Sequence, residues 1–289
     1  MDTFAPIVQA PTLHILLSFA AQKGAVIHQC DIKNTYLNSH LKDGISLYSE
    51  LPQKYKSFHQ LPPDLRDQPK VVSKWLVSVY GLKQGVHNWY TEVKKFFTDL
   101  GYTVSAADKA VFFKIEDKTY TIIAAATDYF TIIAESSNTA NHLIHEELTK
   151  CFEVSDLGPI NWLLGISIIH DLKSHTITLG QQAYIKQILN CFSLTDACIA
   201  TTPMEVGIDL TLDSHYNITY TIRESYREMI GCLMYATVMT RPDIAFAMST
   251  LSQFFESPRT THLQAICRVF RNLSGTKHST LPLAALTQQ

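Results

Sequence analysis

The chain has 289 residues, 46% of them hydrophobic, enough to bury one large core or two smaller ones and too apolar for a disordered segment. Its 24 Lys and Arg are offset by 26 Asp and Glu, giving a net charge of −2 and a pI near 6.6. That balance excludes a surface that is basic all round, so any groove for a polyanion must be local. The six cysteines form no Cys-x-x-Cys pair and no zinc-like spacing with the twelve histidines. They are expected to be reduced, mostly buried thiols, which suits an intracellular protein, cytoplasmic or nuclear. No apolar run approaches the roughly 18–20 residues of a membrane span, and the N-terminus has no charged-then-apolar leader, so neither secretion nor membrane insertion is expected.

Taken in chain order, Leu13, Leu16, Leu17 and Ala20 follow helical spacing and predict a helix over Pro11 to Gly24, with Gly24 as its stop. A strand ending at Asp31 follows. Four prolines between Pro52 and Pro69 predict an exposed connection. Trp89, Val93, Phe96 and Phe97 share one side of a helix over Trp89 to Leu100, with Lys94 and Lys95 opposite and Gly101 beyond its end. Strands are predicted over Val111 to Lys114, Tyr120 to Ala126 and Phe130 to Ala134, the last two forming a hairpin with Asp128 and Tyr129 at its tip. That tip carries no Asn-Gly or Asp-Gly turn signal. A helix over Ala140 to Phe152, a hairpin of Leu163 to His170 with Thr176 to Leu179, and a helix over Gln182 to Cys191 come next. Beyond Pro203 the pattern is predominantly helical, with stripes at Ile244, Met248, Leu251, Phe255 and at Leu263, Ile266, Phe270, Leu273. This order predicts an α+β fold with an antiparallel sheet.

Asp31 at a strand end and Asp128 at a hairpin tip are the residues with chemical promise. Adjacent strands bring two such carboxylates within reach of a shared magnesium or manganese ion, and hard cations of this kind want oxygen ligands for phosphoryl or nucleotidyl transfer. A lone Asp at either place also serves as an ordinary cap or turn residue.

Several blocks, taken together, resemble the reverse transcriptase of copia-type long-terminal-repeat retrotransposons. They are Thr3-Phe-Ala-Pro-Ile-Val8, Asp31-Ile-Lys-Asn-Thr-Tyr-Leu-Asn38, and Tyr80-Gly-Leu-Lys-Gln84 followed by Trp89-Tyr90. Asp156-Leu-Gly158, Leu164-Gly-Ile166, Gln181-Gln-Ala-Tyr184, Gly231-Cys-Leu-Met-Tyr235 and Thr240-Arg-Pro-Asp-Ile-Ala245 continue the series in order. The resemblance implies a right-hand polymerase palm with partial fingers and a helical thumb or connection region. Asp31 and Asp128 would be catalytic and would bind two Mg2+ or Mn2+ ions. Tyr36 would exclude the ribose 2′-hydroxyl, and Gln84 and Thr127 would line the nucleotide. Leu164, Gly165 and Lys83 would contact primer or template. The implied partners are an RNA or DNA template with its primer, deoxynucleoside triphosphates and the other pieces of a retrotransposon polyprotein. Read without the resemblance, Tyr36 is equally a core tyrosine and Leu164-Gly165 an ordinary tight turn.

The departures from the pattern matter as much. The hairpin block of such enzymes ends in two aspartates, whereas this chain reads Ala126-Thr127-Asp128-Tyr129. A tyrosine phenol is neutral at pH 7 and bulkier than a carboxylate, so it does not replace the lost charge. Loss of one charged ligand is expected to slow nucleotidyl transfer roughly a thousandfold, leaving an impaired enzyme or a non-catalytic binding remnant. His87, Ser39 and Leu263 stand where arginine, glycine and tryptophan are usual. Residues 2–205 are expected to form the reverse transcriptase domain and residues 206–289 a helical connection segment. The abrupt start at the first block, and an end soon after Gly275-Thr276-Lys277, suggest a piece of a longer polyprotein. Lys83, Lys94, Lys95, Arg268, Arg271 and Lys277 are candidates for phosphate contacts.

Overall fold

The computed structural model describes residues 4–41, 46–51, 65, 71–116, 119–210 and 220–284. The segment from Pro52 to Pro69 therefore lies outside the described residues, Leu65 apart. The chain is α+β with antiparallel sheets, and it divides into two compact units. One comprises residues 1–9 and 26–159, the other residues 10–25 and 160–289.

The first unit is built on a six-stranded antiparallel sheet. Its strands are β1 (Val26–Ile32), β4 (Thr103–Val104), β5 (Val111–Glu116), β6 (Thr119–Ala126), β7 (Tyr129–Ala134) and β8 (Val154–Pro159), in the order β4-β5-β6-β7-β1-β8. A separate ribbon pairs β2 (Leu47–Glu50) with β3 (Val72–Trp75). Helix α2 (Gly85–Asp99) covers one sheet face because Trp89, Val93 and Phe97, spaced by four, all point inward. They pack with Cys30, Ile32, Phe112, Ile123, Phe130 and Ile132, the alternate residues of four strands. Gly101, at φ 85°, takes the left-handed conformation just beyond the helix.

The predicted helix over Ala140 to Phe152 is not one regular helix. It begins as α3 (Ser137–His142), capped by the Ser136 side chain, widens to a π-helical turn over Leu143–Glu147 and closes as a 3-10 turn over Leu148–Lys150. The wider turn keeps Ala140, Ile144 and Leu148 in the buried cluster. Strand β8 was not expected either, since Ser155, Asp156 and Gly158 are poor strand formers. It forms as an edge strand through backbone pairing to β1 alone.

The second unit holds α1 (Ala10–Lys23) and a four-stranded sheet. The strands β9 (Trp162–Leu163), β10 (Ile166–Asp171), β11 (Thr176–Gly180) and β12 (Thr280–Ala284) lie in the order β12-β11-β10-β9. Helices α4 (Gln182–Cys191), α5 (Tyr220–Met239), α6 (Ala245–Ser252) and α7 (Thr260–Gly275) enclose a core that includes Ile188, Leu233, Met248, Ile266, Phe270 and Leu273. The buried Arg241 guanidinium donates to both Asp243 carboxylate oxygens, at 2.9 and 2.7 Å, and to the carbonyl and hydroxyl of Thr276. A fully buried cation persists only with such complete pairing. Strand β12 is an addition to an end expected to be, and found to be, predominantly helical. Pro282 argues against a strand there, but β12 lies at a sheet edge, where a missing N–H is tolerated.

All six cysteines are free, but only Cys30 is buried; Cys151, Cys191 and Cys198 are exposed and Cys232 and Cys267 half-buried. The expectation of mostly buried thiols is thus corrected, because three lie at the surface and Cys232 and Cys267 only flank the helical core. Among the described residues no helix is long and apolar enough to cross a membrane.

Candidate active site

The site grows from the pairing of β7 with β1. Cys30 and Ile32 point into the core, so Asp31 between them points to the opposite face of the sheet. Its partner across the strand pair is Tyr129, and on the other side Ser155. Directly paired residues share a face, so the Tyr129 side chain leaves the sheet on the same face as Asp31. The turn joining β6 to β7 has two residues, Thr127 and Asp128, with Ala126 paired to Tyr129. Asp128 is thus in the turn, as predicted, whereas Tyr129 is the first residue of the return strand.

Thr127 has φ 55°, a conformation that β-branched residues rarely adopt. Both turn carbonyls are held from outside the hairpin. The Trp89 indole N–H donates to the Thr127 carbonyl at 2.7 Å, and the Ile32 amide donates to the Asp128 carbonyl at 2.8 Å. The second bond ties the end of β1, and with it Asp31, to the turn that carries Asp128.

The electrostatics agree with this closeness. Burial and then the Asp128 charge push the Asp31 carboxyl above its ordinary value, while Lys33 acts in the opposite direction. Lys33 is engaged by Glu153 at 2.7 Å on the surface. A carboxyl whose ionisation is disfavoured by burial and by a second acid beside it belongs to a donor set suited to a divalent cation. Among the described residues there is no group of three or more His, Cys, Asp or Glu able to hold a metal ion. The phenol of Tyr129 leaves the donor set at two acids.

Tyr36 lies in a 3-10 turn, Thr35–Asn38, that follows β1 directly. Asn34 opens the turn at φ 53°, and the Thr35 hydroxyl donates to the Ile32 carbonyl at 2.8 Å. The Tyr36 ring meets Tyr80 edge-on at 4.7 Å. Burial, then the charge of Asp128, then Tyr80, pushes its phenol up. Buried Ser39 donates its hydroxyl to the Tyr36 carbonyl at 2.9 Å, so the serine found in place of glycine is used locally. The structure therefore brings Asp31, Thr127, Asp128, Tyr129 and Tyr36 together.

Gln84 immediately precedes α2, and its carbonyl accepts the Asn88 amide at 2.9 Å. Lys83 beside it is exposed, as are Lys94 and Lys95 on the outer face of α2. In the second unit, Leu164 and Gly165 form the turn between β9 and β10 with φ of 49° and 79°. The predicted strand from Leu163 is thus interrupted by this turn. The Tyr235 hydroxyl donates to the Leu164 carbonyl. Two phosphate candidates are committed inside that unit, since Arg268 donates to the Thr202 hydroxyl at 3.1 Å and Arg271 to the Cys198 carbonyl at 2.5 Å. Trp89 and Tyr80 are the site neighbours that residue patterns missed. Both lie in quoted sequence blocks, but helical spacing assigns Trp89 only to the core and shows nothing of where its N–H points.

Residues 1–206 match the family model of the reverse transcriptase (RNA-dependent DNA polymerase). The chain is 29% identical over 95% of its length to the retrovirus-related Pol polyprotein from transposon TNT 1-94 of Nicotiana tabacum. It is 30% identical, again over 95% of its length, to that from transposon RE1 of Arabidopsis thaliana. It spans 20% and 18% of these two polyproteins, about a fifth of each. A shorter relative, the putative transposon Ty5-1 protein of Saccharomyces cerevisiae, is 26% identical over 86% of this chain and 76% of its own length. With the family model matched over more than two thirds of its length, the chain belongs to the reverse transcriptase family, among the sequences of copia-type retrotransposons.

Proposed function

We propose that this chain is the polymerase piece of a retrotransposon polyprotein, carrying out RNA-directed DNA synthesis by nucleotidyl transfer at the Asp31–Asp128 pair, with turnover lowered by Tyr129. The observation that carries the reading is the β7–β1 register, which sets Asp31 opposite Tyr129 and beside the turn bearing Asp128. The first unit is read as the palm, with the β2–β3 ribbon as part of the fingers. Residues 2–205 act as the reverse transcriptase domain and 206–289 as a connection or thumb segment. The protein works inside the cell, in cytoplasm or nucleus, with its template, primer and deoxynucleoside triphosphates.

Asp31 and Asp128 hold the divalent ions. When bound, magnesium or manganese supplies a lowered pKa for the primer 3′-hydroxyl and neutralises charge on the triphosphate. Tyr36, braced by Tyr80, bars a ribose 2′-hydroxyl. Gln84 lies along the incoming nucleotide, Thr127 shapes its floor, and Lys83, Leu164 and Gly165 hold primer and template. Tyr129 contributes no negative charge and narrows the space beside Asp31. Those two effects account for a loss of roughly a thousandfold in turnover.

Primer extension on oligo(dT)-primed poly(rA) with Mg2+ or Mn2+ tests the reading. A flat result in both metals, for the native chain and for Tyr129→Asp, would overturn it. Tyr129 in place of a second hairpin aspartate specifically favours one second reading, a non-catalytic nucleic-acid-binding remnant. That reading expects primer–template binding that weakens with salt and ignores the metal.

A further inference from the structure

We propose that Trp89 is a positioning residue for the catalytic turn, its indole N–H fixing the Thr127–Asp128 conformation and hence the placement of Asp128. This rests on the reading of Asp31 and Asp128 as the metal-holding pair.

The turn has no intrinsic reason to keep its shape. Its first residue is a threonine at φ 55°, where glycine or asparagine is usual, so the surroundings must hold it. Only two bonds from outside the hairpin reach its carbonyls in the described structure. One comes from the Ile32 amide, at 2.8 Å, and belongs to the strand that carries Asp31. The other comes from Trp89, at 2.7 Å, and is the only one supplied by a helix side chain.

Trp89 is well suited to the task. It is 3% exposed, and its ring sits edge-on to Phe152 at 5.3 Å. Val93 and Phe97, one and two turns further along α2, lock the helix into the same core. The donor is thus placed by packing, and its carbonyl partner must conform to it. The N-terminal end of the same helix carries Gln84, so the residue read as lining the nucleotide and the turn that bears Asp128 are referred to one rigid element. A tryptophan present only to fill the core needs some acceptor for its N–H but makes the turn indifferent to losing it.

The test removes the N–H and keeps the ring. Full-length chain is prepared with Trp89→Phe and, separately, with 3-benzothienylalanine at position 89, a tryptophan isostere with sulfur in place of the N–H. Amide hydrogen exchange is read at Ile32, which donates to the turn, and at Tyr102, which donates to Phe97 away from it. Mn2+ affinity is read by electron paramagnetic resonance. In both variants Ile32 exchange should rise, and Mn2+ affinity fall, by about five- to tenfold, the scale of one lost hydrogen bond. Tyr102 exchange in the isostere chain should not change. Unchanged Ile32 exchange in the isostere chain overturns the role of Trp89, whatever the metal does. If exchange accelerates but the native chain shows no saturable Mn2+ binding, Trp89 still holds the turn and the metal reading fails instead.

Discussion

Asp31 is where the chemistry of single residues is most exposed to test. Its carboxyl lies above the ordinary value of 3.8 because of burial and the neighbouring Asp128, so the native state binds that proton more tightly than the unfolded chain does. The stabilisation from this proton is present below the unfolded value and is lost as pH rises through the folded one. At neutral pH the ionised Asp31 therefore carries a penalty from burial and then from Asp128, and Asp31→Asn should raise the melting temperature measured without divalent ions. A lower one contradicts the placement of the two acids. On the proposed reading the same proton competes with metal, so Mn2+ affinity should fall as pH drops through a midpoint above 3.8. Because Lys33 pulls the Asp31 carboxyl down, Lys33→Ala should move that midpoint upward; a downward move would show that Lys33 does not act on Asp31.

At the scale of elements, two tight turns carry the features read as functional, and neither relies on sequence alone for its shape. Gly165 has φ 79°, and a Cβ there would meet the Tyr235 hydroxyl at 3.1 Å. Gly165→Ala should destabilise the chain by about 1–2 kcal/mol in urea unfolding. No loss at all would mean that the β9–β10 turn relaxes freely. The β6–β7 hairpin was legible from its apolar runs, and Asp128 fell in the turn as its pattern required. The turn's backbone was not legible, because Thr127 and Asp128 lack the glycine that announces a positive φ; the hold comes from Trp89 and Ile32, distant in sequence. Strands β8 and β12 escaped for a related reason. Ser155, Asp156 and Gly158 in the one and Pro282 in the other disfavour a strand, and partner strands impose the conformation. The π turn at Leu143–Glu147 answers to core packing, which no local periodicity reports.

At the scale of the molecule, the chain returns to each of its two units after leaving it, since residues 10–25 belong with 160–289 and residues 26–159 with 1–9. Such long-range grouping leaves no local signal, although the ordered sequence blocks identified the family over nearly the whole chain. Each unit has its own buried cluster, so core damage should stay within it. Phe97→Ala should cost about 3–5 kcal/mol and speed hydrogen exchange across 26–159 far more than across 160–284. Equal acceleration in both would show that the chain unfolds as one cooperative body. On the proposed reading, an acidic pair able to hold metal survives while its neighbour, Tyr129, limits turnover. Its most direct test is the single-nucleotide extension rate of an oligo(dT)-primed poly(rA) template by the native chain and by Tyr129→Asp, in Mn2+ and in Mg2+. A rise on the order of a thousandfold is expected in the variant; equal rates would show that Tyr129 does not limit turnover.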